Sequence, residues 1–256
     1  MSDISARSWC EKAGVRWHEA VDKDALAADL ARFITVALQH DIDTSGRASL
    51  VVSGGSTPAP VFHQLSQTPI DWQQVTVTLA DERWVAPGHA DSNESLVRDT
   101  LLKDAAAEAG FVSLYRADRS ATDAVKSVSF DVDAMHKPFT VSILGMGNDG
   151  HTASLFPDAP AAQLSAGMML NSAESIAVLT PPSVSQTRIT MTRAALLNST
   201  HRILHITGNA KERVLADALA ESATDSKIPG EYSEGLKPIV GLLTSQPQAA
   251  RVFWSP

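Results

Sequence analysis

The stretch from Gly145 to Ala153, GMGNDGHTA, places a histidine directly behind a glycine pattern. Gly145, Gly147 and Gly150 satisfy G-x-G-x-x-G, a spacing that often lets a backbone wrap a dinucleotide pyrophosphate. His151 follows at once, with Asp149 two positions before it. Histidine changes charge near neutral pH and can take a proton from water, and a carboxylate beside it can fix its tautomer. Residues i and i+2 do not share a helix face, so Asp149 can reach His151 only through turn geometry. The dinucleotide alternative needs an acidic residue about 20 positions on, at the end of the following strand, and a long helix after the third glycine. Here the following strand, SIAVLT, ends in Thr180-Pro181, Glu174 precedes it, and Pro157 interrupts the segment after Gly150. Both contexts fail. The loop is therefore read as carrying a proton-transferring side chain, and no cofactor is expected.

A second group of residues suits an anion. In SGGSTPAP, Gly54 and Gly55 allow close backbone approach. Thr57 is predicted to cap a helix that starts at Pro58, and with Ser56 it lies where helix N–H groups and the dipole favour phosphate. In GNAKERVL, Asn209 is the predicted cap, which puts Lys211 in the first turn. A cation there meets the positive end of the dipole, and a bound anion would reverse the sign of that interaction. Arg188 precedes an alternating run, RITMT, and gains meaning only if the fold brings it near Lys211. Asp81 and Arg83, in LADERWV, end a strand, and Arg83 is expected to point into a shared crevice. DSNES reads as a helix start, with Asp91 or Ser92 as the cap and Glu94 or Ser95 completing the box. The other histidines (His18, His40, His63, His89, His136, His201 and His205) are scattered without metal-ligand spacing, so no metal is expected. Nothing marks Cys10 as a nucleophile.

Positioning these groups requires alternating strands and helices. The strand candidates are SLVVSGG, VTVTLADE, FTVSILGMG, SIAVLT, RILHITG and PIVGLLT, with VRWHEAV and ARVFWSP as further ones near the two ends. Several are nearly continuous apolar runs, as in strands buried on both faces of a parallel sheet. Between them, Leu26, Leu30, Phe33, Ile34 and Leu38 form one helical stripe, and Val214, Leu215, Ala218 and Leu219 another. The pattern predicts an α/β fold with helices on both faces of a parallel sheet. The unusual residues sit just after strands, in five loops including Thr180-Pro181-Pro182. In open α/β sheets that edge is where ligands bind.

The chain has 256 residues, 44% hydrophobic and 20% charged, and is expected to form a single α/β domain over 1–256. A net charge of −8 argues against a nucleic-acid partner and means that an anionic substrate needs its own local cations. One cysteine excludes an internal disulfide and fits a reducing compartment. With no apolar signal segment and no apolar run of roughly 20 residues, a cytoplasmic protein away from membranes is expected, as monomer or homodimer.

Taken together, SGGSTP, LADERWV…HADSN, GMGNDGHTASLFP, TPP…RITMT and ITGNAKERVL resemble the glucosamine-6-phosphate isomerase/6-phosphogluconolactonase family, in order over roughly Ser53 to Leu215. The resemblance implies a Rossmann-like three-layer α/β/α sandwich with a mainly parallel central sheet. It implies no nucleotide, and hydrolysis of 6-phosphoglucono-δ-lactone to 6-phosphogluconate in the oxidative branch of the pentose phosphate pathway. On the same resemblance the general base falls on His151, supported by Asp149, and Arg83 steadies the reacting end of the sugar. The phosphate positions fall on Gly55, Ser56, Thr57, Arg188 and Lys211, with Gly54 and Asp81 in the same substrate-binding set. The family's amino-sugar phosphate deaminases share the glycine loop and Asp81. They carry tyrosine where this chain has Arg83, and an acid for ring opening where it has Phe156. A lactone ring opens when its ester breaks and needs no such acid, so both departures favour the lactonase. A sugar-phosphate-binding module that has lost catalysis is the remaining alternative, against which the intact Asp149 and His151 argue.

Overall fold

Runs such as ASLVV and FTVSIL, buried at every position, are satisfied only between two helical layers, and they lie in the interior of a seven-stranded parallel sheet. The computed structural model describes residues 5–224 and 235–256. The strands in chain order are β1 (Arg16–Glu19), β2 (Ala48–Val52), β3 (Val75–Leu79), β4 (Asp81–Arg83), β5 (Gly110–Val112), β6 (Phe139–Leu144), β7 (Ile176–Leu179), β8 (Arg188–Met191), β9 (Ser199–Thr207) and β10 (Ala250–Ser255). The helices are α1 (Ala6–Lys12), α2 (Lys23–Ser45), α3 (Ala59–Ser66), α4 (Asn93–Thr100), α5 (Ala121–Asp133), α6 (Ala161–Met168), α7 (Arg193–Leu197), α8 (Asn209–Thr224) and α9 (Pro238–Thr244).

The large sheet runs β1-β10-β9-β6-β2-β3-β5, with every pairing parallel. From β2 the chain moves through β3 to the β5 edge. From β6 it moves the other way, through β9 and β10. The direction therefore reverses between β2 and β6, and the crevice outside their carboxyl ends is the switch point where such sheets take ligands. The loop after β2 holds Gly54 and Gly55, and the loop after β6 holds Gly145 to His151.

Period-two alternation divides the core. Ile203 and Phe253 face the larger apolar cluster, which contains Leu26, Leu30, Ile34 and Leu38 of α2. Leu204, Ile206 and Val252 face a second cluster with Leu215 of α8 and Val240 and Leu243 of α9. Helix α2 is bounded as its sequence dictates. The Asp22 side chain accepts from the Ala25 N–H at 2.8 Å, and Gly46 takes the left-handed conformation at the far end.

A smaller antiparallel sheet, β4-β8-β7, covers part of the carboxyl edge. Ala80 sews it to the large one: its N–H donates to Val52 O and its carbonyl accepts from Met191 N, both at 2.8 Å. The chain thus leaves β3, turns through one residue and carries Asp81 and Arg83 over the crevice.

Three local expectations are corrected. PIVGLLT is helix α9, not a strand; Pro238 to Leu243 are all buried, and a run that is apolar on every side gives no period by which to separate the two. SIAVLT forms β7, which lies in the small antiparallel sheet rather than the parallel one. Helix α3 begins at Ala59 with Pro58 at the cap position and no side-chain cap bond, so Thr57 does not cap it. Ser92, by contrast, caps α4, accepting from the Ser95 N–H at 3.2 Å. No helix of the described residues is long and apolar enough to cross a membrane.

Candidate active site

Gly54, Gly55, Thr57, Asp81, Arg83, His151, Arg188 and Lys211 all line one cleft of about 460 Å³ at the switch point. They come from five separate segments, so the topology supplies the convergence that spacing alone does not. Ser56 is exposed and does not line the cleft, and nor do Thr180 to Pro182. Asp149 stands behind His151 rather than in the wall.

The glycine loop is built around the histidine ring. Asp149 Oδ1 lies 2.6 Å from His151 Nδ1 and also accepts the His151 backbone N–H at 3.2 Å. The carboxylate therefore holds the proton on Nδ1, and Nε2 is left as the basic nitrogen. The Gly147 N–H donates to His151 O at 2.9 Å, and Thr152 Oγ1 to Gly145 O at 2.8 Å. A β-carbon on Gly147 would overlap both the His151 ring and the Asp149 carboxylate. The second glycine of the pattern is thus explained by the Asp–His contact and not by a pyrophosphate. We expect Gly147→Ala to lower kcat at least tenfold with little change in the far-ultraviolet circular dichroism, because displacing a positioned base by about 1 Å can cost up to 100-fold.

Burial alone would raise the Asp149 pKa, but the His151 charge and its hydrogen bonds outweigh that and hold the carboxyl below its usual range. Phe156 stacks on the His151 ring at 4.1 Å between centroids, and the Arg188 guanidinium lies 5.7 Å from the same phenyl ring. One aromatic ring thus lies against both the histidine and an arginine of the cleft.

Two further cations, Arg83 and Lys211, line the same cleft. Arg83 and Arg188 are direct partners across the antiparallel β4–β8 pair, an arrangement that like charges disfavour unless something negative lies between them. Burial, and then the Arg83 charge, push the Arg188 pKa down, while Asp81, Glu82 and Asp91 oppose the shift. The Nε atoms of both arginines are buried without a partner, although Arg83 Nη1 donates to Asp91 O at 2.6 Å. Lys211, in the first turn of α8 as expected, donates to Met146 O at 2.6 Å. Burial lowers its pKa, with Asp149 partly opposing. Locally, then, the cleft is cationic although the chain as a whole is acidic.

The support behind these groups was not legible in the sequence. Glu82 is almost fully buried, and its carboxylate accepts the N–H groups of Arg83, Asn93 and Glu94 together with the Ser92 hydroxyl, at 2.7–3.0 Å. It ties β4 to the start of α4 and so fixes Arg83. Asn93 donates from Nδ2 to Asp81 O and packs where a Gly54 side chain would go. Ser154 Oγ donates to Asp81 Oδ2 at 2.5 Å. Asn93, Ser154, Phe156 and His205 also line the cleft. The pattern S/T-x-x-E/S at Ser92 reveals a helix start, but not which carboxylate that helix receives.

Residues 21–238 match the family described as glucosamine-6-phosphate isomerases/6-phosphogluconolactonase. Among similar proteins, the 6-phosphogluconolactonase of Pseudomonas putida is 42% identical over 81% of this chain and 85% of its own length. That of Rhizobium meliloti (strain 1021) is 38% identical over 93% and 98%. The crystal structure of a 6-phosphogluconolactonase from Shewanella baltica superposes with a TM-score of 0.84 at 35% identity, covering 94% of this chain and 98% of that one.

Proposed function

We infer that this chain, which belongs to the glucosamine-6-phosphate isomerase/6-phosphogluconolactonase family, hydrolyses 6-phosphoglucono-δ-lactone to 6-phosphogluconate. The observation that carries the reading is one cleft lined by a carboxylate-oriented histidine and by Arg83, Arg188 and Lys211. Its setting is the oxidative branch of the pentose phosphate pathway in the cytoplasm, with residues 1–256 acting as one α/β domain.

Arg188, Lys211 and the backbone around Gly55 and Thr57 hold the 6-phosphate, each charge-assisted bond contributing about 1.5–3 kcal/mol. His151 Nε2 takes a proton from water, and the water oxygen bonds to the lactone carbonyl carbon. The carbonyl electron pair moves to oxygen, giving a tetrahedral oxyanion that Arg83 stabilises. Collapse re-forms the carbonyl and breaks the bond to the ring oxygen, which receives the proton from His151. The acid formed then ionises to the carboxylate. Asp149 stabilises the transient imidazolium without itself accepting the proton.

Asp81 in the cleft is the feature that favours the amino-sugar isomerase reading. Against it, Phe156 occupies the position expected for the ring-opening acid. A coupled assay on freshly made 6-phosphoglucono-δ-lactone, with glucosamine 6-phosphate as the competing substrate, separates them. Turnover above spontaneous hydrolysis with no ammonia release is expected. Ammonia release from glucosamine 6-phosphate without lactone turnover would reverse the assignment.

A further inference from the structure

His205 is a polar residue in a place built for an apolar one. It lies on β9 between Leu204 and Ile206, opposite Phe253 of β10, and is only 4% exposed. Its two sequence neighbours face the second apolar cluster. By alternation His205 and Thr207 share the other face, and both line the cleft. Nδ1 is sealed from solvent with no partner, and no described residue hydrogen-bonds either ring nitrogen. A leucine would fill the same position without burying an unpartnered polar atom, so the imidazole costs stability unless a ligand uses it.

We propose that His205 is a substrate-positioning residue whose Nε2–H donates a hydrogen bond to a hydroxyl or ring oxygen of the bound sugar. This rests on the lactonase reading and adds a contact for the uncharged part of the substrate. Sealing a lone pair costs less than sealing an N–H, so the proton sits on Nε2, the nitrogen left to meet a ligand. Burial pushes the His205 pKa down to about 4, which keeps the ring uncharged through the neutral range. It therefore offers a donor without adding a fourth cation to Arg83, Arg188 and Lys211, and without a pH limb of its own near neutrality.

Steady-state kinetics on fresh 6-phosphoglucono-δ-lactone, with thermal melts, tests this in His205→Leu, His205→Gln and His205→Asn. A glutamine amide reaches the position of Nε2, and an asparagine amide only that of Nδ1. We expect KM to rise roughly 3- to 10-fold in the Leu and Asn variants, with kcat within about twofold. The Gln variant keeps a KM near wild type, and the Leu variant melts no lower than wild type. Unchanged KM in both Leu and Asn variants, or equal KM in Gln and Asn variants, would overturn the assignment; the Gln–Asn comparison decides the matter should the Leu variant fail to fold. A wild-type chain without lactone turnover would instead overturn the lactonase reading itself.

Discussion

His151→Ala lowers kcat by about 10²–10⁴-fold and leaves the fold intact. The expectation follows from the placement of the ring. His151 lies in a loop outside the core, with its side chain 28% exposed, so truncation leaves the packing of the sheet unchanged. What is lost is the side chain that Asp149 orients toward the cleft at 2.6 Å. Alanine also frees Asp149 from the imidazole that holds its carboxyl below the usual range, and an ionised carboxylate facing an anionic substrate does not help binding. Single-turnover rates corrected for spontaneous lactone hydrolysis check this, with circular dichroism for the fold. A kcat within threefold of wild type would remove His151 from the chemistry.

Lys211→Met raises KM for the phosphorylated lactone by roughly 10- to 150-fold, the loss of one charge-assisted bond. Glucono-δ-lactone, which lacks the phosphate, should lose less than twofold in kcat/KM. The contrast matters because Lys211 also donates to Met146 O in the glycine loop. Were that structural bond its main role, the loop carrying His151 would loosen and both substrates would suffer alike in kcat. Methionine keeps most of the apolar stem, so the comparison isolates the charge. A cation at a helix N-terminus is disfavoured by the dipole, and partial burial already lowers the Lys211 pKa. Bound phosphate relieves both penalties, which is why a large and substrate-specific loss is expected.

The sequence discloses the parts whose physics is local. The α2 stripe, the strands VRWHEAV and ARVFWSP, and the concentration of glycines after strands all follow from period and composition. His151 and Asp149 stand out because their side chains have no business in a dinucleotide loop. The rest depends on contacts between distant segments. PIVGLLT is apolar on all sides and therefore carries no period. That β4, β7 and β8 leave the parallel sheet is set at Ala80, whose two backbone bonds go to different sheets. Gly147 satisfies a nucleotide pattern for another reason, the His151 ring lying where its β-carbon would be. His205 resembles six other scattered histidines until β9 places it, unpartnered, in the cleft wall.

One phosphorylated sugar is expected to span the cleft with its phosphate and its carboxyl end at opposite sides. A crystal structure with bound 6-phosphogluconate tests it most directly. The phosphate is expected within hydrogen-bonding reach of Lys211 and Arg188, and the carboxylate beside His151 Nε2 and Arg83. The same molecule bound the other way round, or outside the cleft, would contradict it.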